Sequence, residues 1–158
     1  MTTTNAANNR DLALRFVEAF DSRDLQAIDH LLADDFVWHV AVVPEGVTQF
    51  RPFQSEELQG RKHTHTSRPA RQRATLAFFG KLFRDGEDAN RRFRLRLINV
   101  ISDGNQVAFE AEGELPVPDR NRLYRNIYFV LLRVRDGKIV LYKEYQDTLH
   151  IYDVFVAQ

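Results

Sequence analysis

The spacing of apolar positions changes along the chain, and the changes divide it into helical and extended segments. "NNRDLALRFVEAF" places Ala13, Phe16, Val17 and Phe20 on one face of a helix, with Asn8 or Asn9 as its cap. "DSRDLQAIDHLL" repeats the interval with Ala27, Ile28, Leu31 and Leu32, and Ser22 is placed to cap it. Two short helices joined by a tight link form a helical hairpin. In "DDFVWHVAVV" the period drops to two. Phe36, Trp38 and Val40 alternate with Val37, His39 and Ala41, which is strand behaviour. A third helix is predicted over "ATLAFFGKLF", with Leu76, Phe79 and Phe83 on one side.

The second half keeps the shorter period. "FRLRLINVISDGNQVAFEAEGEL" reads as a hairpin turning at Asp103-Gly104-Asn105. Phe93, Leu95 and Leu97 share one face and Arg94 and Arg96 the other; Val107, Phe109 and Ala111 oppose Glu110, Glu112 and Glu114. After "PVPDRNR" a second hairpin, "LYRNIYFVLLRVRDGKIVLYKEYQD", turns at Asp136-Gly137. From Pro44 to about Arg73 no period holds, and so long a loop in a compact domain is a lid, a binding loop or a mobile segment. Helices followed by an antiparallel meander define an α+β protein. A curved antiparallel sheet with three N-terminal-side helices on its concave face makes a cone-shaped α+β barrel, hollow among its aromatic side chains.

Composition sharpens this picture. At 158 residues the chain is one domain, 1–158, with residues 1–8 expected to be disordered. A core of that size buries roughly two thirds of the unfolded chain's surface without staples. Lys+Arg and Asp+Glu are both 22, which argues against nucleic acid or an anionic membrane surface as partner. Without cysteine, disulfides and thiolate metal sites are excluded. "MTTTNAANNR" lacks a signal peptide's apolar centre and no apolar run approaches a membrane span, so a cytoplasmic location is expected. Twelve Phe, five Tyr and one Trp exceed what an aliphatic core needs; such rings fill a core or line an apolar ligand cavity.

The candidate chemistry gathers near the last strand, "DGKIVLYKEYQDTLHIYDVF". If Asn126 and Tyr128 face the cavity, Arg133 and Arg135 face water; a matching choice turns Val140, Tyr142 and Glu144 inward and Lys143 outward. A carboxyl among rings is poorly hydrated, which raises its pKa and makes it a proton donor or base near neutrality. The plainer reading pairs Glu144 with an arginine or with water. Asp147 either joins it or caps a short terminal helix over "TLHIYDVF". Residues three apart on a regular strand face opposite sides, so both acids enter one cavity only across a bulge or turn. His39 is either a proton shuttle or a hydrogen-bonded strand residue. His63 and His65 could share a face toward a metal, but no third ligand is evident, so no metal is expected. The basic stretch Arg61, Lys62, Arg68, Arg71 and Arg73 either is solvated or holds an anionic substrate group. Phe16, Phe20, Trp38, Asn126, Tyr128 and Tyr142 are the candidate substrate contacts, with Tyr128 or Asn126 able to donate to an oxyanion. No serine-nucleophile motif, phosphate loop or dinucleotide fingerprint is present, so no cofactor is expected.

The order of elements resembles the nuclear transport factor 2-like superfamily, in its SnoaL-like and ketosteroid-isomerase-like branch. "ADDFVWHV" is similar to that group's first strand, "LQGR" at 58–61 to its entry to the third helix, and "YFVLLRVRDGKIVLYKEYQDT" to its closing hairpin. The likeness covers nearly all the chain except 44–57. It implies an aspartate base near the end of the last strand, as in SnoaL-type polyketide cyclases, where Asp147 stands. It also matches Glu144 in "EYQD" to the glutamate of the phenazine-biosynthesis relatives. The acid and base of ketosteroid isomerases would fall on Val130 and Val40, a departure that argues against that chemistry. The Asp-Arg-Asp set of an epoxide hydrolase is not evident. The resemblance also implies a homodimer through the outer sheet face, by Ile127, Phe129 and Leu131. The expected function is a cofactor-independent acid–base enzyme (isomerase, cyclase or dehydratase) acting on an apolar oxygenated small molecule of natural-product metabolism. The alternative is a non-catalytic small-molecule-binding or dimerisation module.

Overall fold

The computed structural model describes residues 2–40, 69–88 and 91–157. Helix α1 spans Thr2–Asp21, α2 Leu25–Leu31 and strand β1 Leu32–Val40; α3 spans Pro69–Asp85. Strands β2 (Arg94–Asp103), β3 (Gln106–Val117), β4 (Arg122–Arg135) and β5 (Lys138–Gln146) follow, and helix α4 (Thr148–Phe155) ends the chain. The strands form one curved, unclosed sheet in the order β1-β5-β4-β3-β2, in which β1 runs parallel to β5 and all other pairs are antiparallel. Helix α1 packs on β2 and β3, and α3 on β1, so the core lies between the helices and the concave face. This is the α+β cone expected from the sequence.

Two helix starts differ from expectation. Helix α1 runs through residues 2–8, so neither Asn8 nor Asn9 caps it; the Asn9 amide instead donates to the Gly104 carbonyl at 2.8 Å and ties α1 to the β2–β3 turn. Arg23, at φ 62°, breaks the chain direction, and Asp24 becomes the cap of α2, accepting from the Ala27 amide at 2.8 Å. Ser22 turns back and donates to the Ala19 carbonyl, closing α1. Helix α3 begins at Pro69, where proline is at home because first-turn amides have no helical acceptor, so the irregular stretch ends before Arg73. Both hairpins turn where read, with Gly104, Asp136 and Gly137 all at positive φ.

Two bulges set the faces of the sheet. On β2, Ile98 is the extra residue between the Leu97–Ala111 and Asn99–Glu110 pairs, which throws Ile98 outward and returns Val100 inward. On β5, Val140 is extra between the Val134–Ile139 and Arg133–Leu141 pairs. Val140 is therefore only half-buried and does not share an inward face with Tyr142; Ile139 takes that place. Beyond the bulge the alternation is regular, and Tyr142 and Glu144 point to the concave side together.

Candidate functional site

The cone encloses a cavity of about 690 Å³. Phe16 and Phe20, one turn apart on α1, meet Phe79 of α3 and Trp38 of β1 there, with Tyr142 opposite Trp38 in the parallel β1–β5 register. The rings lock one another: Trp38 lies 4.6 Å from Phe79 and 4.8 Å from Tyr142, and Phe16 lies 5.4 Å from Tyr142. Tyr124 and Tyr128 of β4 and Phe155 of α4 complete the aromatic wall. Charge is confined to the rim and to one interior group. At the rim Lys81 bonds Asp85 at 2.6 Å, and Arg91 grips Asp119, beyond the lining, through two bonds of 2.7 and 3.0 Å.

The interior group is Glu144, 4% exposed. Loss of water around the carboxyl pushes its pKa from the ordinary 4.5 up to about 8, although a hydrogen bond with the Tyr142 hydroxyl pulls the other way. Near pH 7 the group is mostly neutral, a proton donor with an accessible carboxylate form. Burial also pushes the phenols of Tyr124, Tyr128 and Tyr142 up, so all three keep their protons.

The second acid does not join it. Asp147 is exposed and caps α4, accepting from the Leu149 and His150 amides at 3.0 and 3.1 Å. The punctuation reading holds for Asp147, and the buried-carboxyl reading for Glu144. His39 pairs with Lys143, one position off the inward Trp38–Tyr142 pair, and is not part of the cavity wall. A flat strand forces neighbours to opposite faces, so His39 cannot share the cavity with Trp38. Asn126 is buried but does not line the cavity either. Its amide is held by the Asp147 backbone, donating to the carbonyl and accepting from the amide at 3.0 Å each, which fastens the end of β5 to β4.

Of the expected contacts, Phe16, Phe20, Trp38, Tyr128 and Tyr142 line the cavity. Sequence reasoning missed Tyr124, although it shares the period-two face of Asn126 and Tyr128, and missed Phe155, which only the course of α4 brings into the cavity wall against Tyr124. Arg61, Lys62, His63, His65 and Arg68 lie outside the described residues, as does the side chain of Arg71; Arg73 is exposed on α3. Among the described residues no group of His, Asp and Glu could hold a metal ion, and no helix is long and apolar enough to cross a membrane.

A curved sheet wrapped on helices around an apolar, ring-lined cavity with one buried acid defines a hollow α+β cone. The chain belongs to the SnoaL-like domain family, which it matches over residues 13–142. Among solved structures it is similar to Bal32a from a soil-derived mobile gene cassette, at 18% identity over 96% of this chain and 98% of that one, with a TM-score of 0.67. It is also similar to an LEH-like epoxide hydrolase from M. tuberculosis, at 17% identity over 96% and 91% of the two chains and a TM-score of 0.62. A third is IdmH from Streptomyces antibioticus, provisionally assigned as a polyketide cyclase, at 19% identity over 92% and 96% and a TM-score of 0.60. At such identities the likeness fixes the fold alone. No curated protein matches the chain.

Proposed function

We propose that the protein is a cofactor-independent acid–base enzyme that moves a proton on an apolar, oxygenated small molecule of natural-product metabolism, by isomerisation, cyclisation or loss of water. One observation carries the reading: a carboxyl buried in a ring-lined cavity of about 690 Å³, with its pKa raised to about 8. A purely structural glutamate at that depth costs stability and gains nothing, whereas an acid poised near the working pH can both give and take a proton. The aromatic wall excludes water and selects flat apolar ligands. Glu144 is the proton-transfer group; Asp147 is not, and His39 does not reach the reacting atoms.

Exchange of the α-protons of 2-tetralone in D2O, followed by proton NMR, tests this without the natural substrate. The protein should speed exchange, with a rate that levels off above about pH 8. Glu144→Gln should abolish the acceleration; equal rates for the two proteins would rule the proposal out and leave the binding module.

The reading includes a homodimer through the convex face, where Ile127 and Phe129 are 48% and 49% exposed and Leu131 is half-buried between Ala108 of β3 and Lys143 of β5. Native mass spectrometry should show twice the 18.4 kDa chain mass, and the dimer should be lost in Ile127→Lys/Phe129→Lys.

A further inference from the structure

Besides Glu144, the cavity wall carries a pair of hydroxyls, those of Tyr124 and Tyr128, 2.7 Å apart. The protons around this pair can be assigned from the backbone outward. The Asp147 amide can only donate, so the Asn126 atom 3.0 Å from it is the carbonyl oxygen. The Asn126 nitrogen then donates to the Asp147 carbonyl and to the Tyr124 hydroxyl, at 3.0 Å each. Having accepted that bond, the Tyr124 oxygen has two acceptors for its own proton: Tyr128 at 2.7 Å, and the Gln146 side-chain oxygen at 3.5 Å, the outer limit of a hydrogen bond. Either oxygen can donate across the short contact: with Tyr124 as donor the Tyr128 proton is left for a third group, and with Tyr128 as donor Tyr124 turns its own proton toward Gln146. Among the described residues Tyr128 has no hydrogen-bond partner except Tyr124 and its ring stands in the cavity wall, so an acceptor oxygen in the cavity draws the pair into the arrangement in which Tyr124 donates to Tyr128 and Tyr128 to the newcomer.

The ring is held where it is by a missing side chain. A β-carbon on Gly113 would sit 2.5 Å from the Tyr128 ring and 2.6 Å from the Phe93 ring, so glycine there lets both rings close over β3. Phe93 meets the Tyr128 ring edge-on at 6.3 Å and 78°. A donor fixed in place before a ligand arrives loses little freedom on binding.

We infer that the Tyr128 hydroxyl is the cavity's dedicated donor to a ligand carbonyl or enolate oxygen, with Tyr124 and Asn126 as positioning residues behind it. The chain Asn126 to Tyr124 to Tyr128 to ligand polarises each bond toward the ligand oxygen. The substrate class is thereby narrowed to flat apolar molecules bearing an acceptor oxygen. The inference rests on the cavity being a ligand site, as proposed above, but not on proton transfer by Glu144.

Equilibrium dialysis at pH 7 with 2-acetonaphthone and its carbonyl-free analogue 2-isopropenylnaphthalene separates the two ideas. The wild type should bind the ketone about fivefold more tightly than the alkene, the worth of one net hydrogen bond. In Tyr128→Phe the two affinities should become equal, and the alkene reports whether the cavity has survived the change. Tyr124→Phe should reduce the preference without removing it, since the Tyr128 proton remains. A Tyr128→Phe protein that still prefers the ketone would overturn the inference, as would a preference lost in Glu144→Leu and retained in Tyr128→Phe, which would make the neutral acid the donor. In either case the 2-tetralone experiment on Glu144 stands unaffected. Failure of both probes to bind the wild type would overturn the inference together with the ligand cavity itself.

Discussion

Replacing Glu144 by glutamine should change how stability depends on pH, and the size of the change follows from the burial of the carboxyl. In the unfolded chain the group titrates near 4.5, and in the folded protein near 8. A folded-state pKa above the unfolded one means that the native state binds the proton more tightly. Stability is therefore fully present below pH 4.5 and is lost as pH rises through 8, because the charged form is the one the cavity disfavours. The interval is about 3.5 pH units, and at about 1.4 kcal/mol per unit the whole loss is about 5 kcal/mol. Between pH 5 and pH 9 about 4 kcal/mol of it is expressed. Glutamine keeps the shape and the hydrogen bond with Tyr142 but has no proton to lose. Urea unfolding of both proteins at pH 5, 7 and 9, followed by circular dichroism, isolates the effect because every other titrating group is shared. The difference in unfolding free energy should be small at pH 5 and reach about 4 kcal/mol in favour of the glutamine variant at pH 9. For a domain whose total stability is about 5–15 kcal/mol, that is a large signal. Parallel profiles across the range would mean that Glu144 is hydrated or paired, and the reasoning about its chemistry would fail with them.

Two substitutions test the supports around the site. Gly113→Ala should drive the Tyr128 and Phe93 rings apart, with a cost of about 1–3 kcal/mol in thermal or urea unfolding; an unchanged midpoint would show that the rings do not rest on β3. Asp147→Ala should cost about 1 kcal/mol through loss of the α4 cap, with Asp147→Asn close to wild type, and neither should change 2-tetralone exchange beyond the effect on folding. A large activity loss in a well-folded Asp147→Asn protein would return that residue to the chemistry.

Much of the fold was legible because the period of the apolar positions is a local property. The strands of both hairpins, their turns at Gly104 and Gly137, and the inward side of Tyr142 and Glu144 follow from alternation and turn chemistry alone. The start of α1 was hidden because Thr-Thr-Thr-Asn carries no apolar stripe, though the helix runs through it. The Val140 bulge was hidden for a different reason: an extra residue is defined only against a partner strand, and β5 alone does not reveal it. The same limit applies to Asn126. Its residue type and face marked it as a substrate contact, but both ends of its amide are consumed by a backbone 21 residues away in sequence. Tyr124 shows the converse, since its face was readable while its importance came from the neighbouring hydroxyl. Local pattern says which way a side chain points, and only the assembled fold says which of its hydrogen bonds remain to be made.

The most direct measurement is the titration of the Glu144 side-chain carboxyl itself, by carbon NMR of protein labelled at glutamate, with Glu144→Gln used to assign its signal. A midpoint near pH 8, well separated from the exposed glutamates, is the result required by a desolvated acid in a ring-lined cavity. A midpoint near 4.5 would show a solvated carboxylate at the end of β5 and contradict the account.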